Sequence, residues 1–490
     1  MGIWRNSLNF AFLPACSDGF ISQNDECVRA TTTTTTTTRA TTTTTTARAT
    51  TTTAAASFKC ATSSDCRIGA FAIPANGYAG CNRNQGICVW ACNAGFVQAG
   101  STCTRAAAAT TTRPASTCAP SYTAGDTTIS GTGTLPKPTS FVKRPKDSQL
   151  LTLDDKPYRI VGPNIYWLCQ DENLGPVGSP PSKGRIREAL AIAVAMGANT
   201  VRVHTCGISV GPANEWNLNP EPGVFRESAW DIRDYVIYAA REYGLRLIFP
   251  LTDNWNYYHG GKCNFVDFAG LSRDRNCAKF YESKVPIRYF TEYISRIIQR
   301  RNPYTGLTYG NDPTILAWET GNELGGYINA EMWPPASWTN AIIDTIRKYD
   351  SQHLIIDGSG GFWNYSTKAT APGLTVPRVD LMSDHGAKKG FFIGEYDWTP
   401  TGSSVSLEDY LAVIEGSGAY LGDMIWSVFG HDDECCAFVK HQDGYSLYYP
   451  NGGTAGENAN ALRVAQHWYR VQGRPVPRAL PAVACPQSAF

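Results

Sequence analysis

The sequence predicts an α/β chain whose main body is a (β/α)8 TIM barrel, preceded by a small disulfide-rich module and Thr-rich linkers. Three observations carry this. From residue 141 to residue 490 short apolar runs alternate with stretches of helical periodicity. Eight of those runs have the length and continuous apolarity of parallel strands covered on both faces. The roughly 350 residues they occupy suit such a barrel with loop insertions. The alternative is an open doubly wound sheet, but no Gly-rich phosphate loop follows the first strand.

The N-terminal region reads as four pieces. "CSDGFISQNDECVRATTTT", beginning at Cys16, and "CNAGFVQAGSTCTRAAAATTT", beginning at Cys92, both place ten residues between cysteines and Gly-Phe at the same offset. Residues 1–28 therefore read as a partial second copy of a disulfide-rich module spanning 58–104. An upstream piece with a signal peptide is expected, because the apolar run in "MGIWRNSLNFAFLPAC" is short and broken by Asn9 and Pro14. Residues 29–57, almost pure Thr and Ala, cannot bury enough surface to offset their conformational entropy and read as an O-glycosylated stalk. A second linker covers 105–140, and the catalytic body is assigned to 141–490.

Composition narrows the function. The 16 cysteines, six of them between Cys60 and Cys103, point to an oxidising compartment and hence a secreted, extracellular protein. The pairing of the six is open among many connectivities. No histidine and no paired CxxC accompany them, which speaks against a metal cluster. Cys263 with Cys277, and the adjacent Cys435 and Cys436, are candidates for loop disulfides. A formal net charge of +1 suggests no nucleic-acid partner, and no apolar run approaches the ~18–20 residues of a membrane span. No cofactor or metal is expected, and the chain is expected to act as a monomer.

Within the barrel the expected order is strand "YRIVGPNIYWL", helix "GRIREALAIAVAMGA", strand "NTVRVHT", helix "AWDIRDYVIYAAREYG" and strand "LRLIFPLTDNW". Helix "KVPIRYFTEYISRIIQRRN", strand "ILAWETGNE", helix "SWTNAIIDTIRKYD" and strand "LIIDGSGG" follow. Strands "VDLMSDH" and "FFIGEYDW", helix "SLEDYLAVIEGSG", strand "YLGDMIWSVFG" and helix "NANALRVAQHWYRVQG" complete it. Reactive groups of such barrels sit at the C-terminal ends of strands. That rule selects Trp167, Arg202, Trp255, Glu323, His385, Glu395 and Trp426. Glu319, four residues before Glu323 on the same side of its strand, is expected deeper in the barrel as a structural polar group. Two carboxylates facing each other across a tryptophan-lined cleft are what glycoside hydrolysis requires: one protonates the leaving oxygen, the other attacks the sugar or activates water.

The stretches "PNIYWL", "NTVRVH", "LNPEPGVFRESAWDIRDYVIYAAREYGLRLIFPLTDNW", "ILAWETGNELGG" and "GEYDW" resemble glycoside hydrolase family 5, in particular its fungal endo-β-1,4-mannanases. The resemblance implies a retaining mechanism with Glu323 as acid/base and Glu395 as nucleophile. It further implies that Asn322 binds the sugar 2-hydroxyl, that Arg202 orients the nucleophile, and that His385 and Trp426 line the sugar site with Trp167 and Trp255. The implied partner is β-mannan or a related β-glycan, with cell-wall glycan a possible ligand of the cysteine module. A β-glucanase or exo-β-mannosidase on the same fold stays open, as does a carbohydrate-binding protein with a degenerate site. Two positions depart from the family: Leu324 replaces a common Pro, and Ala387 stands where a Tyr touches the nucleophile.

One stretch conflicts with the barrel plan. In "VDLMSDHGAKKGFFIGEYDW" only six residues lie between Asp384 and Phe391. Fully extended they reach ~20–22 Å, enough to run back along one strand and too little for a helix. The expectation is a missing sixth helix, with distorted neighbouring strands or His385 displaced from the cleft. A segment of ~15–25 residues lost from the gene model would explain it; a real deletion in an inactive protein is the rival.

Overall fold

The computed structural model describes residues 135–486 apart from 147, 149, 326–331, 364–367, 384–390, 400–404, 419, 434–436 and 442. Ahead of them it describes six short strands. The chain divides into two compact units, Met1–Ala115 and Ser116–Phe490.

In the first unit, Phe20–Gln23 pairs antiparallel with Glu26–Arg29, and Phe96–Ala99 pairs with Thr102–Arg105. Both hairpins set Phe against Arg and a cysteine one step in from the turn pair, as Ser22↔Cys27 and Gln98↔Cys103. The repeat seen in sequence is thus also a repeat of backbone register. A third hairpin joins Gly77–Asn82 to Ile87–Cys92.

In the second unit eight parallel strands form the barrel: β1 (Ile160–Pro163), β2 (Thr200–Arg202), β3 (Arg246–Pro250), β4 (Ile315–Glu319), β5 (Leu354–Asp357), β6 (Leu381–Ser383), β7 (Phe391–Asp397) and β8 (Tyr420–Trp426). The pairing runs in order from β2 to β8, and β8 pairs with β1. Asn199 N–H donating to Val161 O, 3.0 Å, and Ile165 N–H to Arg202 O, 3.0 Å, close β1 onto β2. Alternation along the strands sorts the core into two clusters. Ile160, Ile248, Ala317, Ile356, Leu381, Phe392 and Leu421 form one, with Leu151 of an antiparallel hairpin packed on it. Val161, Leu247, Phe249, Trp318, Ile355, Met382 and Ile393 form the other, which the helices cover.

Those helices are α1 (Lys183–Ala195), α2 (Trp230–Tyr243), α3 (Lys284–Gln299), α4 (Ala336–Arg347), α5 (Leu407–Gly416) and α6 (Ala455–Val471). Their starts are legible in the chain. Ser182 and Ser406 accept the first free N–H groups of α1 and α5, and Thr454 with Glu457 makes a reciprocal cap on α6. Gly244 ends α2 at φ 75°, a left-handed conformation that costs glycine nothing.

The wall is uneven. Among the described residues, β5 and β6 are joined through only a 3-10 turn, Pro372–Thr375. β6 and β7 are joined by 384–390, too few residues for a helix and its loops. The two strands still pair in parallel, Met382 with Phe391 and Ser383 with Phe392, and β7 shifts register twice against β8. Packed chain also begins earlier than the expected boundary at 141. Lys137 pairs with Glu242 at 2.6 Å and Ser140 O accepts from Arg246 at 3.0 Å.

Candidate active site

Arg202 ends β2 inside the barrel mouth and is almost wholly buried, so each of its donors needs a partner. Nε and one terminal nitrogen grip Glu319 at 2.7 and 2.9 Å, a bidentate pair. The same nitrogen donates to Asn322 Oδ1 at 2.9 Å, and the other donates to Glu395 Oε1 at 2.5 Å and Asn164 Oδ1 at 3.0 Å. Glu319 lies on the barrel strand itself, spent on Arg202, as its deeper position implied.

Glu395 projects from β7 and keeps 30% of its side chain exposed, so it reaches both the arginine and the cleft. Burial pushes its carboxyl up, but the adjoining His204 ring and the Arg202 guanidinium outweigh this and hold it below the ordinary glutamate range. Glu323 is tuned the opposite way. Burial, followed by the negative charge of Glu395, pushes it up to about 8. Its backbone sits at φ 50°, unusual for a residue with a side chain. Neighbouring bonds hold it there: Asn322 N–H donates to Thr252 O at 2.7 Å and Leu324 N–H to Gly358 O at 2.9 Å. The second bond gives Leu324 a role that proline, lacking the N–H, cannot fill. The Trp255 indole N–H donates to Glu323 Oε2.

Trp426, at the end of β8, is half-buried, donates to Asp443 Oδ2 at 2.9 Å, and stacks on Tyr166 with ring centroids 5.4 Å apart. The predicted Trp167 does not join this cleft. β1 ends at Pro163, and Tyr166–Leu168 form a 3-10 turn that buries Trp167 completely. Its indole donates to Val428 O at 3.1 Å and its face meets the Arg185 guanidinium at 4.6 Å. Trp167 is a core residue, and Tyr166 takes the place expected for it. His385 lies outside the described residues, as do Ala387 and the Cys435–Cys436 pair.

Three further residues belong to the site without having been singled out. His204 lies 3.5 Å from Glu395 Oε1, and its ring centroid is 5.2 Å from that of Trp426. Burial and then the Arg202 charge push it down to about 4, so it is neutral at working pH. Asp253 accepts from Asn322 Nδ2 at 3.1 Å. Tyr166 donates to Glu172 at 3.0 Å beside the Trp426 ring. Position on the strand was the available signal for His204, which shares the side of the chain that carries Arg202. The expected Cys263–Cys277 disulfide is present, and Cys169–Cys206 ties the ends of the neighbouring strands β1 and β2. Glu188, His431 and Cys485 cluster at metal-ligand distances, but Cys485 is disulfide-bonded and the other two bind each other, His431 N–H donating to Glu188 at 2.8 Å.

A parallel barrel carrying two oppositely tuned carboxyls, one just past β4 and one near the end of β7, beside stacked aromatics, defines the class of glycoside-hydrolase-type barrels. The sequence model of the GH family 5 beta-mannosidase-like family matches residues 139–385, and the chain belongs to that family. The matched stretch stops within the short link between β6 and β7.

Among curated relatives, a putative mannan endo-1,4-beta-mannosidase 5 of Oryza sativa subsp. japonica is 30% identical over 226 residues, 46% of this chain and 44% of the rice protein. Mannan endo-1,4-beta-mannosidase 5 of Arabidopsis thaliana is 32% identical over 254 residues, 50% of this chain and 54% of the relative. The chain spans about half the length of the curated relatives it matches. In fold it is similar to the endo-1,4-beta-mannanase from Rhizomucor miehei, with TM-score 0.54 and 21% identity over 68% of this chain and 100% of the other. The endo-beta-1,4-mannanase from Thermotoga petrophila gives TM-score 0.53 and 22% identity over 66% and 79%.

Proposed function

We propose that this chain is a secreted retaining glycoside hydrolase that cleaves internal β-1,4-mannosidic bonds of mannans. The observation that carries the reading is the opposite tuning of Glu323, just past β4, and Glu395 on β7. Glu323, with a pKa of about 8, is protonated at neutral pH and so able to donate to a glycosidic oxygen. Glu395, held anionic by Arg202, is able to attack the anomeric carbon. In the first step the C–O bond to the leaving sugar breaks, that oxygen takes the Glu323 proton, and Glu395 forms an ester to the anomeric carbon. In the second, Glu323 as carboxylate removes a proton from water, whose oxygen displaces Glu395.

Asn322 has its carbonyl oxygen on Arg202 and one amide hydrogen on Asp253, which leaves an N–H for the sugar 2-hydroxyl. The half-buried Trp426 ring offers a face for the sugar in the subsite beside Glu395. The names of the relatives support mannan over other β-glycans. The Cys169–Cys206 and Cys263–Cys277 disulfides support secretion.

A second reading has one specific observation behind it. The 384–390 link is too short to hold a helix and its loops, and Ala387 cannot supply a phenol to Glu395. On that reading the chain binds carbohydrate without turning it over. Reducing-sugar release from locust bean gum separates the two. The proposed function expects release by the purified chain and none by Glu395→Ala. Added azide restores turnover of an activated mannoside by Glu395→Ala as an inverted glycosyl azide. Glu323→Ala keeps activity on substrates whose leaving groups need no acid. Gum left intact by a folded wild-type chain would establish the second reading.

A further inference from the structure

We propose that Asp253, paired with His259, is a positioning residue for Glu323 and acts as a neutral carboxylic acid. The proposal rests on the acid/base reading of Glu323 and adds to it the group that fixes that residue's surroundings.

Asp253 lies three residues past β3, in a loop bridged in parallel to the Glu323 loop through Asp253 and Asn322. Its Oδ1 accepts two hydrogen bonds, from the Trp255 backbone N–H at 3.1 Å and from Asn322 Nδ2 at 3.1 Å. Those partners are the residue whose indole donates to Glu323 and the residue that precedes Glu323 in the chain. One carboxyl oxygen therefore ties together two groups that set where the acid points.

The other oxygen has a different neighbour. Asp253 Oδ2 lies 3.7 Å from His259 Nε2, and both residues are buried, 2% and 4% exposed. His259 Nδ1 is 2.8 Å from Gly260 O. A carbonyl only accepts, so Nδ1 carries the ring proton and Nε2 presents a lone pair to Asp253. Two lone pairs facing each other in a buried site repel, and a proton on Oδ2 removes the conflict.

The electrostatics agree. Burial pushes Asp253 up to about 7 against the bonds from Trp255 and Asn322, and burial pushes His259 down to about 3. The charged or titratable groups around Asp253 are Arg202 and His204 from the β2 end, Glu323 beyond β4, Glu395 on β7, and Tyr257 and His259 on its own loop. An ionised Asp253 raises Glu323 further, so losing the Asp253 proton extends the range in which the acid stays protonated.

Two variants of the full chain test this. Asp253→Asn keeps the Oδ1 acceptor and turns an N–H toward His259, imitating the neutral acid; Asp253→Leu removes both. The folded pKa of Asp253 lies above its unfolded value. Its stabilising contribution is therefore complete below about pH 4 and lost as pH rises through about 7. The melting temperature of Asp253→Asn minus that of wild type should grow by several degrees between those limits. On mannan at about pH 5, Asp253→Asn should stay within about threefold of wild-type kcat, with its alkaline limb moved to lower pH, while Asp253→Leu loses about tenfold or more.

A melting-temperature difference that is flat with pH would overturn the neutral acid. Equal activity losses in the two variants, or an unmoved alkaline limb in Asp253→Asn, would overturn the positioning role. If Asp253→Leu does not fold, the alkaline limb and melting curve of Asp253→Asn decide. Wild type inert on every β-glycan would instead remove the functional reading, with the melting difference left standing.

Discussion

The two sides of the barrel mouth are built differently. From β2 to β4 the strands are followed by α2, α3 and α4, and the side chains at their ends are bound to one another. From β5 to β7 the described residues hold one 3-10 turn between strands, only seven residues, 384–390, separate β6 from β7, and β6 has three residues. Glu395 belongs by sequence to the thin side, yet the guanidinium that donates to it, Arg202, and the His204 ring beside it both come from the thick side. A carboxylate can therefore be held ionised from across a barrel whose local wall is reduced.

The largest expected effect breaks that cross-barrel hold. Arg202→Met leaves Glu319 and Glu395 without their cation in a buried site, a loss of ~3–5 kcal/mol of stability. Turnover should fall to background, measured by chemical denaturation beside reducing-sugar release. Arg202→Lys restores charge without the bidentate fork and should recover stability before activity. On the thin side, His385→Ala should cost only about tenfold in kcat/KM, the worth of a single sugar hydrogen bond. A His385 effect as large as that of Arg202 would show that the thin side positions the chemistry after all.

A smaller effect sharpens the electrostatic half of the comparison. With Glu395 held below the usual range and Glu323 at about 8, kcat/KM should rise with an acid limb below ordinary glutamate and fall with an alkaline limb near 8. The Trp255 hydrogen bond favours ionised Glu323, so Trp255→Phe should move the alkaline limb upward. A downward movement contradicts the assignment of that limb to Glu323.

The carboxylates were legible because each follows a short, continuous apolar run read as a parallel strand. Glu319 was legible as a deeper group from its spacing alone. Trp167 misled because a 3-10 turn follows Pro163 and rotates the chain, and no composition signal separates that turn from a longer strand. His204, Asp253 and Tyr166 lay within the expected strand runs but were not singled out, since their importance lies in partners on other strands, Glu395, Asn322 and Trp426. Cys169–Cys206 joins residues that follow adjacent strands β1 and β2, so the strand order could have suggested it. The short link was countable in the chain itself.

The smallest expected effect concerns the N-terminal region. Removing residues 1–134 should leave kcat/KM on soluble mannan within about twofold, because the barrel has its own core. Removing 1–140 should also lower the melting temperature, since Lys137 and Ser140 bond to Glu242 and Arg246. Equal stability of the two truncations would place the start of the packed unit later than Leu135.

The central claim is that Glu395 is a working nucleophile held by Arg202 despite the reduced wall beside it. Incubation of the folded full chain with a 2-deoxy-2-fluoro-β-mannosyl fluoride, followed by peptide mass spectrometry, tests it most directly. The account predicts one fluoromannosyl adduct, on the peptide "FFIGEYDW", at Glu395. A folded chain that acquires no adduct, or carries it on any other carboxylate, would contradict it.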